Sequence, residues 1–303
     1  MISVIIKAGC FLGITLLGWC LRRVGFFQEK DFHLLSKIVL KITLPAAIVC
    51  SFAGREIPLG MLLLCVLGFG FNLIMIAAAK LANRNSTREE RAFCMLNTPG
   101  FNIGNFTMPF AQSFLGPLGV VAVSIFDLGN AMITFGAGYC FAAMEQDGTP
   151  FSMKRVFRTV VKSVAFDTYI IMMILSLLRI PIPGPVQEFA GCIGQANTFL
   201  AMLMLGVGLN ISCDKGQLGT IFRVLCMRYA LALILAVGSY LLLPFSVEVR
   251  QAVTICVLSP IATPMVAFTA ELKGDVGLAS AINSISIVVS LVFMISALLI
   301  ILV

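Results

Sequence analysis

Along the 303 residues, apolar stretches of about 20 residues alternate with short polar punctuation, and each stretch is long enough to cross a bilayer core as a helix. Such runs fall near Ser3–Leu21, Leu34–Phe52, Leu59–Ala79, Ala92–Leu115 and Leu118–Met144. Five more fall near Val161–Leu178, Val186–Leu209, Ile221–Leu243, Ala252–Leu272 and Val276–Leu302. The pattern predicts an all-α integral membrane protein of ten transmembrane helices with no room for a soluble domain. The first run resembles a secretory leader superficially. Lys7 interrupts it, no small-residue cleavage site follows, and further spans come after it, so it reads as the first helix.

Composition agrees. Apolar residues make up 59% of the chain and charged residues 12%, against about 45–50% and 25% in soluble domains. The apolar surplus must face lipid, which makes the bilayer the first partner. A net charge of +7 does not point to nucleic acid, because the basic residues sit in short clusters between apolar runs, as topology signals do. Arg22, Arg23 and Lys30 follow the first run, Lys80, Arg84, Arg88 and Arg91 the third, Lys154, Arg155, Arg158 and Lys162 the fifth, Lys215 and Arg223 the seventh, and Lys273 the ninth. The opposite side carries Lys7, Arg55, Arg179 and Arg250. By the positive-inside rule the odd-numbered loops are cytoplasmic, so a multi-pass protein of the cell membrane with both termini non-cytoplasmic is expected. The ten cysteines, Cys213 among them, are scattered singly with no C-x-x-C pair and read as small buried hydrophobes.

With both termini on one side, a division into 1–150 and 151–303 gives two five-helix halves of opposite orientation. The stretch LNTPGFNIGNFTMPFAQSFLGPLGVVAVSIF resembles VLSPIATPMVAFTAELKGDVGLASAINSI, with Pro109 opposite Pro264 and Gly119 opposite Gly277. Inverted repeats of this kind characterise secondary transporters. The fourth span is the least regular, since Asn97, Pro99, Gly100, Asn102, Gly104, Asn105 and Pro109 interrupt it. Each proline removes an amide donor and clashes with the preceding turn, so carbonyls are freed at membrane depth and need partners. The ninth span repeats the interruption with Ser259, Pro260, Thr263 and Pro264. Paired breaks in corresponding halves are the best sequence pointer to a transporter's binding site. Crossed near the midplane, they bring half-helix N-termini around one point, which suits a carboxylate. Small and polar residues also serve ordinary helix packing in membranes, but here the interruptions are dense and occur in both halves.

These residues carry a resemblance. N-T-P-G-F-N-I-G-N-F-T-M-P, then F-L-G-P-L-G and I-F-D-L-G-N, with S-P-I-A-T-P-M-V-A-F in the ninth span and I-T-L-P-A-A-I in the second, are similar to the auxin efflux carrier family of membrane transporters. The resemblance implies two inverted five-helix repeats, a crossover of broken fourth and ninth helices, a scaffold beside a mobile domain, and elevator-type transport of organic anions. It places Asn105, Pro109, Thr263 and Pro264 at the crossover that cradles a substrate carboxylate, with Asn97 and Asn102 on its approach. Only about Glu145–Val160 separates the halves, as in the short prokaryotic members, so small mono- or dicarboxylates such as malate or malonate are expected rather than auxin. The sixth span carries Asp167-Thr168 where the family pattern leads one to expect Asn-Pro.

Buried ionisable groups are costly in a membrane and usually functional. Asp127 lies three residues before Asn130 on one helical face, where it would titrate, hold a cation, or be satisfied by a neighbouring amide; Asn283 occupies the comparable region of the other half. Coupling to H+ or Na+ is thus open, and no cofactor is expected. Lys37 and Lys41 share a face near the start of the second span and read as snorkelling to headgroups. Asp167, several residues into the sixth span, either pairs with Lys162 or contributes to proton coupling. A single histidine, His33, is too little for a His-based metal site or Ser-His catalysis, so no enzyme is expected. Asn85-Ser-Thr matches a glycosylation acceptor in a loop expected to be cytoplasmic, a chance match. The expected partner is a small organic anion. A homodimer is left open, because small-residue runs are too common here to mark one face. Two alternatives remain: a sodium-coupled symporter similar to the bile acid carriers, and a membrane sensor that binds ligand without moving it.

Overall fold

The computed structural model describes residues 2–28, 30–55, 57–209 and 215–301. Cys213 and Leu302 lie outside the described residues. In the first half, α1 (Ile2–Arg23) is followed by α2 (Asp31–Ile38) and α3 (Leu44–Phe52), joined by a π-helical turn at Val39–Thr43, and by α4 (Leu63–Ala82). Next come α5 (Arg88–Asn97) and α6 (Met108–Phe114), parted by a non-helical break and a π-helical turn at Ile103–Thr107. The half closes with α7 (Pro117–Met132) and α8 (Gly138–Asp147), continuous through a third π-helical turn at Ile133–Ala137. The second half runs α9 (Met153–Val160), α10 (Val164–Leu177), α11 (Gly184–Gly194), α12 (Ala196–Gly208), α13 (Leu218–Leu242), α14 (Val247–Val257), α15 (Pro264–Glu271) and α16 (Val276–Ile301).

Local sequence explains where these helices begin. Pro45, Pro109, Pro117, Pro185 and Pro264 occupy first-turn positions of α3, α6, α7, α11 and α15, where a missing amide costs nothing. Thr87 caps α5 by accepting from the Glu90 amide at 3.2 Å, so the threonine of the Asn85-Ser-Thr triplet has a structural use. Ser152 and Ser163 cap α9 and α10 in the same way.

Among the described residues the architecture is all-helical, with one isolated antiparallel bridge, Phe101 to Ile261. Seven helical runs are long and apolar enough to cross a membrane: Ile5–Arg23, Asp31–Phe52, Leu59–Ala82, Pro117–Asp147, Gly184–Gly208, Leu218–Leu242 and Val276–Ile301. An eighth results if α9 and α10, bent by 85°, count as one. Large apolar side chains such as Leu16, Val66, Phe222, Ile234 and Ile300 point outward, whereas Asn72, Asn97, Asn130, Arg228 and Ser286 are buried. Polar inside and apolar outside is the distribution a lipid solvent requires. Lys37 and Lys41 are exposed, as reaching the headgroups requires.

Two sets of helices pack mostly among themselves and meet where α3 lies against α7 and α12 against α6. In one, α1 lies along α12, α2 against α12, and α3 against α10 and α11. In the other, α4 lies along α7, α5 along α8, α13 along α14, and α15 along α16. Backbones touch in the leading pair of each group. A Cβ added at Gly206 would stand 1.9 Å from the Thr15 carbonyl oxygen, and one at Gly129 would stand 1.8 Å from that of Cys65. Interfaces built on glycine in this way gain dispersion where water offers no driving force.

Candidate substrate site at the crossing of two interrupted helices

The break between α5 and α6 meets the break between α14 and α15. The Asn102 amide donates to the Pro260 carbonyl at 2.9 Å, and the Ala262 amide donates to the Gly100 carbonyl at 3.1 Å, a reciprocal pair about the Phe101–Ile261 bridge. Gly100 makes the turn possible with φ of 81°, a region that other residues rarely enter. Outside the break, helical bonding resumes through the π-helical turn, where the Thr107 amide reaches back to the Asn102 carbonyl at 3.2 Å.

Each half fastens its own bridge residue with an asparagine. Asn130 Nδ2 donates to the Phe101 carbonyl at 2.8 Å, and Asn283 Nδ2 donates to the Ile261 carbonyl at 2.8 Å. The amide of Phe101 donates to Asn130 Oδ1 at 3.0 Å, and that of Ile261 donates to Ser286 Oγ at 3.1 Å. Asn130 also accepts from Asn72 Nδ2 and donates to Asp127 Oδ1. Its hydrogen-bonding capacity is therefore spent on holding the break. Asn97 ties the two broken segments together by donating to Thr269 Oγ1 at 3.0 Å.

Two cavities flank the crossing. A small one of ≈ 60 Å³, with room for a few waters, is lined by Asn102, Asn105, Asp127, Asn130, Tyr169 and Pro264. All three π-helical turns contribute to its wall, through Leu40, Gly104 and Thr134. Turns of this type concentrate at functional sites because they tilt side chains and backbone out of helical register. Asn105 lines this cavity, is 7% exposed, and has a buried Oδ1 without a hydrogen-bond partner. Tyr169 is buried, with its hydroxyl directed at the Asp127 carboxylate. A second cavity of ≈ 370 Å³ is lined by Thr263 and Asn283 together with Arg22, His33 and Ser280. Asn102 Nδ2 stands 3.5 Å from Thr263 Oγ1 in the wall between them.

Of the residues singled out in the sequence, Asn102, Asn105, Asp127, Asn130 and Pro264 therefore share the small cavity, and Thr263 and Asn283 share the larger one. Asn97, Pro109 and Ser259 line neither. Pro109 is buried in the first turn of α6, and the Ser259 hydroxyl is buried without a partner. Asp167 is exposed on α10, away from the crossing.

Two residues have no counterpart among the sequence candidates. Asn72 of α4 is fully buried and accepts the Gly100 amide at 2.6 Å. Arg228 of α13 is the largest fully buried side chain among the described residues. Its guanidinium donates to the carbonyls of Thr98, Gly100 and Ser259, the last two at 3.1 and 2.9 Å, and lies 5.4 Å from the Phe101 ring centroid. These carbonyls lack helical partners because the chain leaves the helix after Asn97 and Val257. The only advance signal was a lone polar side chain deep inside an apolar run.

A family model described as membrane transport protein matches residues 10–301. Among curated proteins, none matches the chain.

Proposed function

The chain belongs to the membrane transport protein family, that of the auxin efflux carriers, and we propose that it is a secondary carrier of small organic anions such as mono- or dicarboxylates. One observation carries the reading: two interrupted helices cross, and their break residues wall a cavity whose lining includes Asn105, with an Oδ1 that no protein group satisfies. The helical stretches that start at Ile103 and Pro264 both border this cavity, and their N-terminal dipole ends favour an anion. Seven long apolar helices, the bent pair α9–α10 and the two interrupted segments together supply ten spans. Division into 1–150 and 151–303 then pairs α5–α6 with α14–α15 and Asn130 with Asn283 as inverted equivalents. The group holding α1–α3 and α10–α12 serves as scaffold, and the group holding the crossing moves against it.

The larger cavity joins the crossing to Arg22 in the last turn of α1 and His33 in α2, on the side that the charge bias marks as cytoplasmic. In this reading the chain rests inward-facing, with both termini outside the cytoplasm. Asp127 would repel an anion in the small cavity unless it is protonated or paired, so the cycle couples the anion to a proton. The sodium symporter reading also draws on Asp127 and differs in requiring sodium.

The test is uptake of labelled mono- and dicarboxylates into proteoliposomes, with sodium or choline and with or without a pH gradient. Saturable flux that Asn105→Ala loses supports the carrier. Strict sodium dependence would select the symporter, and ligand binding by folded protein without flux would select a sensor.

A further inference from the structure

Carbonyls of unwound helix segments in crossed transporter helices are a natural cage for a metal cation. At this crossing the carbonyls of Thr98 and Gly100 from one break and Ser259 from the other already converge on a cation, the Arg228 guanidinium, which is fully buried. Among the described residues no carboxylate forms an ion pair with it, so its charge is met by backbone dipoles at the C-terminal ends of α5 and α14. Phe101 lies between the guanidinium and the small cavity, its ring 5.4 Å from the charge and its side chain in the cavity wall. On either side of Phe101, the Gly100 carbonyl bonds Arg228 and Asn102 lines the cavity.

We propose that Arg228 is a tethered cation that takes the place of a bound metal ion at the crossing, locking the two breaks together and supplying a fixed positive charge behind the anion cavity. Transport then needs Arg228 and needs no sodium at the crossing. A planar guanidinium suits the role better than an ammonium, because its fixed fork reaches carbonyls of two helices at once. Arg228 is a positioning residue here, since it acts on the substrate through the backbone and ring that it holds.

The proposal rests on the carrier reading for its flux arm alone; a stability arm is independent of transport. Purified wild type, Arg228→Lys and Arg228→Gln would be melted in detergent in choline, sodium and methylguanidinium chlorides at equal ionic strength, and reconstituted for carboxylate flux. The wild type should melt and transport alike in sodium and choline. Arg228→Gln should melt earlier, recover selectively in methylguanidinium, and carry anions at least about tenfold more slowly, a loss of roughly 1.4 kcal/mol of transition-state stabilisation, with flux also recovering in methylguanidinium. Arg228→Lys should fall between. Saturable sodium stabilisation of the wild type, or wild-type flux and melting in Arg228→Gln, would overturn the proposal. A wild type that moves no anion defeats the carrier reading while the melting comparison still decides the role of Arg228. If Arg228→Gln does not fold, the wild-type salt comparison and the melting of Arg228→Lys decide that role.

Discussion

At the scale of single residues, the polar groups around the crossing divide by whether their bonding capacity is already used. The Asn130 side chain makes four hydrogen bonds, to both backbone groups of Phe101, to Asn72 and to Asp127. Interhelical bonds in membrane proteins average about 0.6 kcal/mol, so Asn130→Ala should cost about 2 kcal/mol and lower the melting midpoint in detergent. Asn105 lines the cavity and its Oδ1 makes no hydrogen bond that would be lost, so Asn105→Ala should melt like the wild type and still lose most carboxylate flux. If Asn105→Ala melts early instead, the residue belongs to the frame of the break and its place as substrate contact is lost. Asp127, held by Asn130 and facing Tyr169, is the acid in the wall of the small cavity. A proton-coupled cycle predicts that wild-type uptake rises as the side from which substrate enters is acidified, and that Asp127→Asn flattens this dependence. The sequence revealed Asn105 and Asp127 because they sit among dense interruptions or beside another amide. It concealed Asn72 and Arg228 because neither interrupts the apolar run that holds it, and the break groups that they bond lie 28 or more residues away.

At the scale of elements, the breaks were legible and the fit between helices was not. Proline and glycine act on the chain's own backbone, so Pro99, Gly100, Pro260 and Pro264 announce a discontinuity wherever the helices finally lie. The start of α15 at Pro264 and the place of Pro109 in the first turn of α6 follow from the same chemistry. The π-helical turns at Val39–Thr43 and Ile133–Ala137 have no comparable residue signature. Glycine spacing was equally mute, since a chain with 26 glycines offers small residues on every face. Only the packed helices tell them apart. Gly206 and Gly129 meet a facing backbone, whereas Gly13 has nothing within 4 Å of an added Cβ. Gly206→Val and Gly129→Val should therefore separate α1 from α12 and α4 from α7, giving aggregated or early-melting protein on size-exclusion chromatography. Gly13→Val should elute and melt like the wild type.

At the scale of the whole molecule, the two helix groups meet along a seam that is partly polar, which suits surfaces that slide better than surfaces that are fused. Gln112 at the end of α6 belongs to the group with the crossing. Its Oε1 accepts from Asn197 Nδ2 at 3.1 Å and Thr198 Oγ1 at 3.3 Å, both on α12 of the other group. Asn197 in turn accepts from Thr43 of the π-helical turn in its own group at 2.8 Å. An elevator displaces the first set of atoms relative to the second while leaving the Thr43–Asn197 bond intact. Cysteines placed by Gln112→Cys and Thr198→Cys, in a chain whose native cysteines are replaced, should close a disulfide on mild oxidation and halt carboxylate flux, with flux returning on reduction. A pair placed by Thr43→Cys and Asn197→Cys should cross-link without arresting transport, because both positions travel together. Full flux through the oxidised 112–198 pair would mean that the groups do not move apart at this seam, and the motion would then have to be confined to the turns that wall the small cavity.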